Sequence, residues 1–101
     1  MQSNFRTYQL SVQLYRECSK LKLPHYLKDQ VLRASSSVAL NLVEGNAKRS
    51  PKEQRRFFEI SFGSLREVQS ILDLANVQSE INVLADKTAA HLYKLLKHFS
   101  P

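Results

Sequence analysis

The chain has 101 residues, 43% of them hydrophobic, and carries fifteen Lys and Arg against nine Asp and Glu, a formal net charge of +6. That length and apolar share suit one domain, residues 1–101, around a single core, and two Gly with three Pro are too few for the many turns of an all-β domain. The lone Cys18 excludes an internal disulfide and agrees with a reducing compartment.

Phe5, Tyr8, Val12 and Tyr15 recur at steps of three and four, with Leu14 and Cys18 beside them, so the spacing predicts a first amphipathic helix over roughly 3–21. Pro24 interrupts it and suits the first turn of a second helix. That helix presents Leu27, Val31, Ala34, Val38 and Leu42 as its main stripe and is expected to stop after Glu44. Gly45 and Asn46 are the expected stop, since both tolerate left-handed backbone. The small residues of "SSSVALN", Ser35 to Asn41, read as a surface for close helix packing.

A third helix starts with the clearest signal in the chain: Ser50 as N-cap, Pro51 at the first helical position and Glu53 completing a capping box. Its apolar face is broad, with Phe57, Phe58, Ser61, Phe62, Ser64, Leu65, Val68, Ile71, Leu72 and Ala75, and the mid-helix Gly63 is best explained by a neighbouring helix passing close, with a simple surface glycine as the alternative. The fourth helix, roughly 81–99, buries Ile81, Ala85, Leu92, Leu95 and Phe99, and its Lys94, Lys97 and His98 complement the negative end of the helix dipole. Four amphipathic helices on short links predict an all-α fold, an antiparallel up-and-down four-helix bundle.

Catalytic and metal-binding patterns are missing. His25, His91 and His98 are scattered, no Glu-x-x-His pair occurs, and Cys18 has no partner, so neither a metal nor a cofactor is expected. Gly45 and Gly63 cannot form a glycine-rich phosphate loop, and Ser35–Ser37 lack a nucleophile elbow. The expectation is a protein that is not an enzyme. The opening "MQSNFRTYQL" has no apolar core of signal-peptide type, and no run approaches membrane-spanning length, so a cytoplasmic protein with no membrane role is expected.

Charge is where the chain departs from an ordinary bundle. Residues 1–56 carry eleven basic and four acidic side chains, a surplus of +7, while residues 57–101 carry four and five, a balance of −1. Five of the nine residues from Lys48 to Arg56 are basic: Lys48 and Arg49 in the loop, then Lys52, Arg55 and Arg56 at i, i+3 and i+4 on one helical face. Cations at a helix N-terminus oppose the dipole, at a cost of a few tenths of a kcal/mol each, roughly the scale of one surface charge pair. An external anion would relieve that cost. Arg33, Lys28, Lys20 and Lys22 belong to the same basic half. Three readings follow: a polyanion site, a dock for an acidic protein, or a solvated face neutralised by Glu44, Glu53 and Glu59. Aromatic residues do not interleave with the cluster in the way single-strand binders use them, since the spacing puts at least one of Phe57 and Phe58 in the core, so backbone contact is expected over base stacking.

The stretch "NLVEGNAKRSPKEQRRFFEISFGSLREVQSILDLA", Asn41 to Ala75, resembles the bacterial four-helix-bundle proteins encoded within intervening sequences of 23S ribosomal RNA genes. The likeness rests on Asn41, Glu44, Gly45, Arg49, Ser50, Gly63, Ser64, Leu65 and Glu67, an Asn-x-x-Glu-Gly, a basic turn with Ser, then Gly-Ser-Leu-x-Glu. A related member is the accessory variability determinant of diversity-generating retroelements, a basic protein that binds nucleic acid and a reverse transcriptase. The resemblance implies a four-helix bundle and a homo-oligomeric ring, a pentamer in similar proteins.

Taken together, the expected function is nucleic-acid binding, RNA or DNA, through Lys48, Arg49, Lys52, Arg55, Arg56 and Arg33. The alternative is an assembly module that docks an acidic partner, such as a nucleic-acid enzyme.

Overall fold

The structure is a computed structural model and describes residues 2–99; residues 1, 100 and 101 of the expected domain lie outside the described residues. It contains four helices, α1 Gln2–Ser19, α2 His25–Ala47, α3 Pro51–Leu74 and α4 Glu80–His98. Each helix packs on its neighbours in chain order and α4 closes the ring on α1, while the diagonal pairs do not meet. This is the up-and-down bundle that the apolar spacing predicts, about 40 × 21 × 20 Å. Leu14, Val31, Leu42, Phe58, Leu65, Leu72 and Leu92, drawn from all four helices, are buried in one cluster.

The links are short because their caps are local. Lys20 and Leu21 donate N–H to Glu17 and Cys18 carbonyls three residues back, tightening the end of α1. Lys28 reaches over from α2 and donates its ammonium to the carbonyls of Ser19, at 2.7 Å, and Leu21, so a side chain of the second helix caps the first. Burial pushes the Cys18 thiol up to about 11, which keeps it protonated and unreactive at neutral pH. Between α3 and α4, Asn76 takes the left-handed conformation at φ 55°, and Ser79 N–H donates to Asn82 Oδ1 at 2.9 Å to start α4.

Two expectations about glycine are overturned. Gly45 and Asn46 do not end α2, which runs on to Ala47; neither glycine has positive φ. The helix stops because Lys48 and Ser50 are extended, as the cap of α3 and the residue before Pro51 require. Nor does a helix pass close to Gly63, which is exposed with nothing within 4 Å of where a Cβ would stand. The close approach is at Gly45 instead: a Cβ there would lie 2.4 Å from Phe58 Cε1 and 2.8 Å from Cδ1.

The serine-rich run serves the same α2–α3 seam. Ser61 donates its hydroxyl to the Val38 carbonyl at 2.7 Å, Ser37 and Ser64 hydroxyls meet at 2.8 Å, and Asn41 Nδ2 donates to the Ser37 carbonyl at 2.9 Å. Small side chains let the backbones approach, and the buried hydroxyls find hydrogen-bond partners within the seam.

The two glycines therefore have opposite expected responses to the same substitution. Gly45→Ala forces a methyl against a fully buried ring and is expected to destabilise the fold by about 1–3 kcal/mol, the range for overpacking. Gly63→Ala meets open space and is expected to stabilise it by about 0.5–1 kcal/mol through helix propensity. Urea unfolding midpoints of the two variants measure both.

Candidate functional site

The α2–α3 turn sits at one end of the bundle, and its geometry is set from α3. Ser50 is the N-cap, φ −92° and ψ 141°, and its hydroxyl accepts from Glu53 N–H at 3.1 Å. The Glu53 carboxylate accepts from that hydroxyl at 3.3 Å, so this acid is engaged with the cap. With Pro51 at the first position, α3 begins at a defined angle and carries Lys52, Arg55 and Arg56 on its first turns.

Adjacent phenylalanines divide the roles at this end. Phe58 is fully buried, while Phe57 is half-buried with two cations on its ring, Lys48 Nζ at 5.1 Å and Arg56 Cζ at 5.9 Å from the centroid. These cation–π contacts draw the turn and the helix together despite like charge, at about 0.5–1 kcal/mol each for partly exposed sites. The ring braces cations. It offers bases little open surface.

Internal acids neutralise part of the cluster. Lys48 Nζ lies 3.7 Å from Glu44 Oε2, and Arg55 Nε lies 3.3 Å from Glu59 Oε2. The second contact is electrostatic only, since buried Arg55 Nε has no hydrogen-bond partner among the described residues. Arg49, Lys52 and Arg56 are exposed, and none has an acid at ion-pair distance among the described residues.

Of the rest of the basic half, Arg6 alone, exposed near the start of α1, stands at this end. Arg33 lies on the exposed side of α2 fourteen residues before its end, about 20 Å away along the axis. Lys28 caps α1, Lys20 pairs with Glu17 at 2.9 Å, and both stand at the opposite end of the bundle with Lys22. A 23-residue helix, about 34 Å long, separates them from the corner. The antiparallel path divides the basic half between two ends.

Other concavities carry less chemistry. A shallow furrow of about 810 Å³ runs along α1 between Phe5 and Lys20, but it is walled by one helix and its Lys20 is paired with Glu17. Among the described residues no three His, Cys, Asp or Glu side chains are grouped as metal ligands, and no helix is long and apolar enough to cross a membrane.

A family model described as 23S rRNA-intervening sequence protein matches residues 3–101. The chain belongs to that family. A search of curated proteins finds no match. Within the family reading, most residues that carry the sequence likeness have architectural roles here. Asn41 and Ser64 join the α2–α3 seam, Gly45 admits Phe58, Ser50 caps α3 and Leu65 is core. Glu44 holds Lys48. Arg49 is exposed and unpaired among the described residues.

Removing the cap tests how the corner is set. Ser50→Ala is expected to lower stability by about 1 kcal/mol. Urea unfolding measures it, with the midpoint falling and the slope unchanged.

Proposed function

We propose that this protein is a non-enzymatic module that binds the phosphate backbone of nucleic acid with the α2–α3 corner and does so as a homo-oligomer. One observation carries the reading: Arg49, Lys52 and Arg56 stand exposed at one end of the fold, with no internal acid at ion-pair distance among the described residues. Opposing the α3 dipole, these cations gain little from the fold and more from an external anion. Phosphates approaching the corner would meet three free cations and two, Lys48 and Arg55, that are already shared with acids. Contact of this kind releases counterions and reads little sequence. The family description contains the words 23S rRNA, which makes ribosomal RNA the first ligand to test.

Self-association is the second part of the reading. Leu40 and Val43, three apart on the outer face of α2, are 62% and 48% exposed, and Ile60 on α3 is 42% exposed. A ring built on this face would repeat the corner around an axis and raise affinity through multivalency. Leu40→Glu is expected to lower the solution mass toward the 11.6 kDa of one chain. Light scattering decides; a wild-type mass of one chain removes the ring.

Binding is tested by fluorescence anisotropy with a labelled 23S rRNA fragment across a potassium chloride series. Replacing Arg49, Lys52 and Arg56 by Gln together is expected to lower the log–log salt slope by about 2–3. Glu59→Gln, which releases Arg55, is expected to strengthen binding. A salt-independent signal removes the proposal. If the triple variant loses capture of an acidic protein while RNA affinity stays at background, the corner is a protein dock instead.

A further inference from the structure

The last turns of α4 lie beside the first turn of α3. Phe99, just past α4, stands 5.3 Å from the Phe58 ring centroid and lines an apolar cleft of about 400 Å³ with Pro51, Lys52 and Arg55. This contact delivers the C-terminal end of α4 to the basic corner, although α4 belongs to the part of the chain with a net negative balance. Lys94 and Lys97 come with it, both exposed and without an acid at ion-pair distance among the described residues. Lys97 Nζ lies 5.8 Å from the Tyr93 ring centroid, a second cation braced by an aromatic neighbour.

Counting all four helices, this end of the bundle displays eight Lys and Arg (residues 6, 48, 49, 52, 55, 56, 94 and 97) against Glu44, Glu53 and Glu59. All three acids are engaged, with Lys48, Ser50 and Arg55. Arg6 lies near the start of α1; the other seven fall into two groups on different elements, one on the α2–α3 turn and the start of α3, the other on α4. Packed helix axes lie about 8–10 Å apart, and the bundle is 21 × 20 Å in cross-section.

We propose that the binding surface is this whole end, with Lys94 and Lys97 forming a second row of phosphate contacts, and that its ligand is duplex rather than single-stranded nucleic acid. The proposal rests on the polyanion reading above and extends it to a second element and a ligand form. Two cation rows on a face about as wide as a duplex match the two phosphate rows that flank a groove. A single strand offers one row and depends on open aromatic platforms for its bases, whereas Phe57 is half-buried beneath Lys48 and Arg56.

The test compares a short RNA duplex, a DNA duplex and a single strand of the same sequence, by anisotropy across a potassium chloride series. The variants are Lys94→Gln/Lys97→Gln, the corner triple, and Lys20→Gln/Lys22→Gln as a charge-matched control at the far end. All altered positions are exposed, and circular dichroism checks that the helices are intact. The α4 variant is expected to weaken duplex binding by roughly tenfold and to lower the salt slope by about 2, with the control near wild type. The single strand is expected to bind more weakly and to respond little to the α4 change. If the α4 variant matches the control while the corner triple still loses affinity, the second row is overturned and the corner stands. Single-strand binding as tight as duplex binding overturns the ligand assignment. Salt-independent wild-type binding removes both proposals together.

Discussion

The approach of Phe58 to Gly45 is the contact on which this end of the molecule depends. A Cβ at Gly45 would stand 2.4 Å from the ring, so the ring occupies volume that any other residue would fill. With Phe58 turned fully inward, Phe57 is rotated by one helical step to the rim, where Lys48 and Arg56 close on it. The same buried ring receives Phe99 from the end of α4. Both sides of the proposed binding face are thus anchored on one side chain. Below it, Ser61 bonded to the Val38 carbonyl and Ser37 bonded to Ser64 link α2 and α3, while Asn41, within α2, holds Ser37 in place.

Concentrating cations at the start of α3 is a minor burden on folding. Each opposes the dipole by a few tenths of a kcal/mol, which is small beside a total stability of about 5–15 kcal/mol for a domain. Part of that cost is offset locally, by Glu44 and Glu59 and by the Phe57 ring. The field outside the protein is less easily cancelled. Eight cations at one end, with three acids already engaged, leave a surface of mainly one sign whose field reaches roughly a Debye length, ~8 Å at physiological salt, as the proposed polyanion site requires.

Family membership and the proposed function rest on largely different residues here. Asn41, Gly45, Ser50, Ser64 and Leu65, all part of the sequence likeness, have roles in packing, close approach or capping. Such residues specify how two helices meet and where one begins, so a match to the family describes the bundle more directly than its ligand. The cations proposed to touch phosphate, apart from Arg49, lie outside that set.

How much of this was legible in the sequence follows from the range of the forces involved. Helix number, helix faces and the Ser50–Pro51 start came from periodicity and capping, which act within a turn or two of one chain segment, whereas the choice of Phe58 over Phe57 as the buried ring did not. The end of α2 was misplaced because Lys48 and Ser50 obey the cap of the next helix, and the role of close approach was given to Gly63 instead of Gly45 because a mid-helix glycine gives no sign of what faces it. Which cations share a surface was open for the same reason. Antiparallel helices, α2 about 34 Å long, carry Lys20, Lys22 and Lys28 to one end and Arg6 and Lys48–Arg56 to the other, then return Lys94 and Lys97 from the acidic half to the corner. Sequence alone therefore determined the fold class and the existence of a cationic turn. Only the tertiary structure decided which charges share a surface, because that depends on helix direction and on a ring filling the space beside a glycine.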